Sequence, residues 1–78
     1  MSQQCSRVAR FERGHIQVAT YLNETPGGSY YDVVIYRKIR VDGKMLYRRG
    51  ANLKPDDLPL VISLLQQAAE YIESNIPS

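Results

Sequence analysis

The chain is 78 residues long with a formal net charge of +2, one cysteine, one histidine and no tryptophan. That length predicts one domain, near the lower limit of what a single hydrophobic core holds unaided, and a lone cysteine excludes a disulfide framework. No apolar run approaches the roughly 20 residues of a membrane span, so the expectation is a soluble, cytoplasmic protein with no membrane partner.

Met1 to Ser6 is polar and reads as a disordered tail, leaving residues 7–78 as a single sheet-plus-helix domain. Arg7 to Glu12 alternates weakly, with Val8 and Arg10 set against Ala9 and Phe11, and predicts a short first strand ended by Gly14. His15 to Asn23 is a clearer strand, with Ile16, Val18 and Leu22 on one face and Gln17, Ala19 and Tyr21 on the other. Asn23 to Ser29 contains Pro26-Gly27-Gly28 and is a loop by composition. Tyr30 to Arg40 predicts a long strand and Lys44 to about Asn52 its partner, joined at Asp42-Gly43, the strongest short-range hairpin signal. Gly50 marks a bulge or strand end. A helix follows from about Asp57 to about Ser74. Asp57 is a natural N-cap, Asp56 and Asp57 suit the positive end of the helix dipole, and Pro59 is tolerated only near the start. The predicted architecture is therefore α+β: an antiparallel three- to four-stranded sheet followed by one long C-terminal helix, ββββα.

Leu58, Val61, Ile62, Leu65, Ala68, Ala69, Ile72 and Ile76 recur at helical spacing and read as the core stripe. Leu60, Leu64 and Tyr71 widen the apolar surface to an arc of roughly 200° at 100° per residue. One small sheet covers about half of such an arc. Another copy of the chain is the economical supplier of the rest, which predicts a homodimer with Leu60, Leu64 and Tyr71 at its interface. The competing possibility is that the N-terminal strand or tail folds over the extra stripe.

Pairing the hairpin strands around Asp42-Gly43 sets Lys38 opposite Tyr47, Tyr36 opposite Arg49 and Arg40 opposite Met45, on one face with Tyr30 and Val34. The other face carries Tyr31, Val33, Ile35, Ile39 and Leu46, a set suited to a core. Cross-strand partners have Cβ atoms about 5 Å apart, so rings and cations interleave on the first face, where rings can stack on bases while Lys and Arg neutralise phosphates. Tyr21 joins that face. The predicted nucleic-acid-binding residues are Tyr21, Tyr30, Tyr36, Lys38, Arg40, Tyr47 and Arg49, and the predicted partner is single-stranded DNA or RNA. A purely structural account competes, because aromatic and long side chains also stabilise exposed sheet faces. So does a protein-interaction or accessory module that uses the same face, or the helix stripe, without binding nucleic acid. The same register opposes Arg37 to Arg48 on the core face, which requires both to reach past the helix toward Glu70 or Glu73, or the pairing to slip by one residue.

Enzymatic readings find little support. Cys5 and His15 lack an orienting third group, no metal-ligand spacing occurs, and no Gly-rich loop joins a strand to a helix. Neither cofactor nor metal is predicted, and Asn23-Glu24-Thr25 reads as a chance sequon.

Sheet strands followed by one long helix, across Arg7 to Ile76, resemble the single-stranded-DNA-binding transcriptional coactivator family (positive cofactor four) and its small bacterial relatives. Tyr36-Arg37-Lys38 and Tyr47-Arg48-Arg49 stand for that family's basic–aromatic ridges, and Ala51-Asn52-Leu53-Lys54-Pro55 for its short apolar lead into the helix. The resemblance implies a curved sheet exposed to single strands and helices that pair two subunits. A second resemblance, over Gly14 to Ile72, is to a group of small uncharacterised bacterial proteins. It rests on a strand ending near Asn23, on Tyr31-Asp32-Val33-Val34-Ile35-Tyr36-Arg37, and on Asp57-Leu58-Pro59 opening a helix that ends Ala69-Glu70-Tyr71-Ile72. It implies no activity.

Overall fold

A computed structural model describes residues 4–50 and 52–76. Four strands form one antiparallel sheet in chain order, β1 (Gln4–Arg13), β2 (Ile16–Thr25), β3 (Gly28–Val41) and β4 (Lys44–Arg49). A 3-10 turn, Pro55–Asp57, leads into the helix α1 (Leu58–Ser74). The ββββα arrangement read from the sequence is the one observed.

Each hairpin is explained locally. Asp42 and Gly43 both have positive φ, 51° and 78°, as a two-residue type I′ turn demands. The resulting register pairs Tyr36 with Arg49, Lys38 with Tyr47 and Arg40 with Met45, as the turn predicts. Gly14, at φ 59°, helps close the β1–β2 hairpin between Arg13 and Ile16. The loop expected over Asn23–Ser29 contracts to a turn at Pro26-Gly27, because pairing continues out to Thr25 and Gly28. There the Thr25 hydroxyl donates to the Gly28 carbonyl at 2.7 Å. Residues 4–6 of the expected tail are strand instead, since Gln4, Cys5 and Ser6 pair with Glu24, Asn23 and Leu22; residues 1–3 lie outside the described chain.

The core lies between α1 and the β1–β2 half of the sheet. Ile16, Val18, Val61, Leu64 and Ala68 are buried there, with Phe11, Ile35, Leu53 and Leu60 packed around them. Of the hairpin residues expected in the core, Val33 and Leu46 stay 40% and 47% exposed, because α1 lies chiefly on β1 and β2.

The helix is also turned from the orientation its pattern predicts, and Asp57 explains the difference. Its side chain does not cap α1 but reaches back to accept the Lys54 backbone N–H at 2.9 Å. The same buried carboxylate accepts the Arg37 guanidinium at 2.9 Å and lies 2.5 Å from His15 Nε2. The Lys54 N–H, then His15 and Arg37, hold the carboxyl below the usual aspartate range against the opposing effect of burial. With residue 57 fixed inward, the positions that follow at four, seven and eleven residues, Val61, Leu64 and Ala68, become the buried line. Leu58, Ile62, Leu65 and Ala69, expected in the core, are left exposed. Leu64, expected at a dimer interface, is 1% exposed within the monomer. Leu60 packs over Gly14 and Tyr71 packs edge-on against Tyr31 at 6.3 Å, and both stay half-buried. Arg37 meets Asp57 and the Asn52 carbonyl rather than Glu70 or Glu73, so the register stands without a slip.

Candidate nucleic-acid interface

The sheet face away from α1 is set by the alternation that buries Ile16 and Val18. It carries Gln17, Ala19, Tyr21 and Asn23 of β2, Tyr30, Asp32, Val34, Tyr36, Lys38 and Arg40 of β3, and Met45, Tyr47 and Arg49 of β4. All seven predicted binding residues lie on it. β1 adds Glu12 and Arg10, opposite Gln17 and Ala19. A bulge between Arg7 and Ala9 then brings Arg7 opposite Tyr21 on the same face. Among the described residues the face therefore holds the cations Arg7, Arg10, Lys38, Arg40 and Arg49 against the carboxylates Glu12 and Asp32. Sequence reasoning missed both Arg7 and Arg10: strict alternation groups Arg7 with Ala9 and Phe11, and Arg10, although out of phase with them, was not assigned to the face.

Two clusters organise the face. In the first, Glu12 forms an ion pair with Lys38 and accepts Gln17 Nε2 at 3.0 Å and the Tyr47 hydroxyl at 3.2 Å. The Lys38 hydrogen bond, followed by that of Gln17, lowers the Glu12 carboxyl to about 2, and the same contact raises the Lys38 ammonium. Lys38 Nζ also lies 6.0 Å from the Tyr47 ring centroid, at the outer limit of a cation–π contact. Gln17, held by Glu12, is buried although among the described residues no second layer covers this side of the sheet.

The second cluster is a shallow cleft of about 190 Å³ lined by Cys5, Tyr21, Asp32, Val34, Tyr36 and Arg49. The Tyr21 and Tyr36 hydroxyls share a hydrogen bond at 2.8 Å, and this bond, with burial, raises the Tyr21 hydroxyl above its ordinary value. Asn23 Nδ2 donates to Asp32 at 2.9 Å and fixes that carboxylate at the rim. The cleft is smaller than the roughly 300–1,000 Å³ of a typical small-molecule site, so its scale is that of one flat ring rather than a whole cofactor.

The fold thus gathers Tyr21, Tyr36 and Arg49 at the cleft, and Lys38 and Tyr47 around Glu12. Arg40 sits beyond the Ile16–Arg37 pair, on the part of the β3–β4 hairpin that overhangs β2. Tyr30 lies two residues along β3 from Asp32 and is exposed. Among the described residues no three His, Cys, Asp or Glu side chains gather as metal ligands, and no helix is long and apolar enough to cross a membrane. The chain matches no family model, no curated protein and no solved structure.

Proposed function

We propose that the open sheet face binds single-stranded nucleic acid, DNA or RNA, with little sequence preference and without catalysis. The observation that carries this reading is the interleaving of Tyr21, Tyr36 and Tyr47 with Arg7, Arg10, Lys38, Arg40 and Arg49 on one face that the helix leaves open. Rings offer sequence-tolerant stacking worth roughly 1–3 kcal/mol per base, and the cations track the backbone. The cleft between Tyr36 and Arg49 would take one base, while Tyr47 and Arg40 extend the track along the hairpin. Glu12 tempers the positive field at Lys38, so Arg40 and Arg49, both exposed, supply the principal phosphate contacts. The likeness to the positive cofactor four family points the same way and rests on the same ridges.

The test is fluorescence anisotropy of a labelled mixed-sequence single-stranded oligonucleotide titrated across a salt series. Three to five phosphate contacts give a log–log salt slope of about −2 to −3.5 for a single strand. Replacing Arg40 and Arg49 by Ala should flatten that slope by about 1.4, and Tyr47→Ala should weaken binding at every salt concentration. Binding absent at low salt, or present with a slope near zero, would overturn the reading and favour a protein partner on the same face.

A further inference from the structure

Asp32 is out of place on a surface that attracts phosphate. It is exposed on the open face, directly opposite Tyr21 of β2, with Val34 and then Tyr36 following it along β3 on the same side. A carboxylate there repels the backbone of a polyanion. Glu12, the other carboxylate of the face, is engaged by Lys38, but among the described residues no Lys or Arg pairs with Asp32. It is held by a buried amide instead: Asn23, 4% exposed, donates Nδ2 to Oδ2 at 2.9 Å. Among the described residues Oδ1 has no donor, so that oxygen and the second lone pair of Oδ2 are left to an outside N–H. The far wall of the cleft offers the complementary group. The Tyr21 and Tyr36 hydroxyls carry two protons, and the bond between them at 2.8 Å uses one. The second is left to donate to an acceptor that enters. Val34 gives the cleft an apolar floor, and Arg49, opposite Tyr36 on β4, sets a planar cation at its side. Four residues of strand hold the Cα atoms of Asp32 and Tyr36 about 13 Å apart, room for one base between the two walls.

We propose that the cleft selects a guanine base of the bound strand, and that Asp32 is the residue that reads it. This selectivity rests on the single-strand reading of the face and adds one preferred base to an otherwise tolerant track. Guanine alone among the bases sets two N–H donors, N1–H and N2–H, side by side on its Watson–Crick edge, and the Asp32 carboxylate accepts both at once. The free proton of the Tyr21–Tyr36 pair donates to guanine O6. Adenine and cytosine present an amino group next to a ring-nitrogen acceptor, and thymine or uracil a single N–H between two carbonyls. Each of these turns a lone pair toward a carboxylate oxygen, which is the repulsive half of the discrimination. Arg49 stays free for the adjoining phosphate, so positioning and base reading fall to different side chains of one cleft.

Anisotropy titrations of labelled oligothymidine, and of the same strand with one central guanine, test the selectivity at fixed salt. Guanine should tighten binding at least about fivefold, the lower end of what a bidentate base contact is worth, and a central adenine or cytosine should not. Inosine, which lacks the N2 amino group, should lose most of the gain. Asp32→Asn removes the charge from an exposed position, so circular dichroism should be unchanged. The variant should lose the guanine advantage while binding oligothymidine at least as tightly as wild type. Guanosine monophosphate brings the same base without a strand, and should displace the probe only far above the concentration at which the unlabelled guanine strand does. Salt-dependent binding that is equal for thymine and guanine strands would overturn the selectivity and leave the single-strand reading standing. So would a guanine preference that survives Asp32→Asn or the change to inosine. Competition by the monophosphate equal to that of the strand would reassign the cleft to a free nucleotide, and no binding of any strand at low salt would overturn both readings together.

Discussion

Thr20 shows how one side chain can sit at odds with its surroundings. It is fully buried in β2, and its hydroxyl finds no hydrogen-bond partner among the described residues. A buried, unsatisfied hydroxyl costs about 1–3 kcal/mol, so Thr20→Val should stabilise the protein by about 1 kcal/mol in urea unfolding. Gly43 works in the opposite direction. Its surroundings would admit a Cβ, but its φ of 78° would not, and Gly43→Ala should cost about 1–2 kcal/mol through backbone strain alone. Glu12 and Asp57 have folded-state pKa values below their ordinary ones, so the stability each contributes is present above its ordinary value, 4.5 for Glu12 and 3.8 for Asp57, and is lost as pH falls through the folded value. For Glu12 that window runs from its ordinary 4.5 down to about 2. Melting temperature recorded from pH 7 to pH 2 should therefore fall less steeply below pH 4.5 in Glu12→Gln than in wild type. Solvent around this exposed carboxylate keeps the difference small.

At the scale of elements, the hairpin and the helix are specified in different ways. The β3–β4 register follows from two residues with positive φ, and a one-residue slip would exchange its faces, so local chemistry suffices to place Tyr36, Lys38, Tyr47 and Arg49. The helix has an apolar arc wide enough to allow several orientations, and its pattern alone does not choose among them. Asp57 chooses, through partners 3, 20 and 42 residues away in the chain. Two truncations separate the predicted orientation from the observed one. Leu64→Ala should cost about 2–5 kcal/mol as a buried Leu truncation, measured under conditions where the protein is monomeric. Ile62→Ala should change monomer stability by no more than about 0.5 kcal/mol. The reverse order would return the helix to the orientation its pattern suggested.

For the whole molecule, one small sheet is asked to present two surfaces, and α1 covers just half of one of them. The face away from α1 is left open, and on the other side the β3–β4 half exposes Val33, Val41 and Leu46 beside Lys44 and Arg48. Composition, the Asp42-Gly43 turn and the strand alternation determined by themselves the ββββα order, the hairpin register and the membership of the aromatic–basic face, because each depends on neighbours in sequence or on a period of two. The tertiary structure decided what depends on contacts between distant residues. The bulge that turns Arg7 to the open face is one example, and the Glu12 cluster that engages Lys38 is another. The third is the buried Asp57 anchor, which rotates the helix so that Leu64 packs inside and Ile62 faces out. An apolar arc wider than the surface it meets can be seated in more than one way, and a buried carboxylate that must keep its partners removes that freedom.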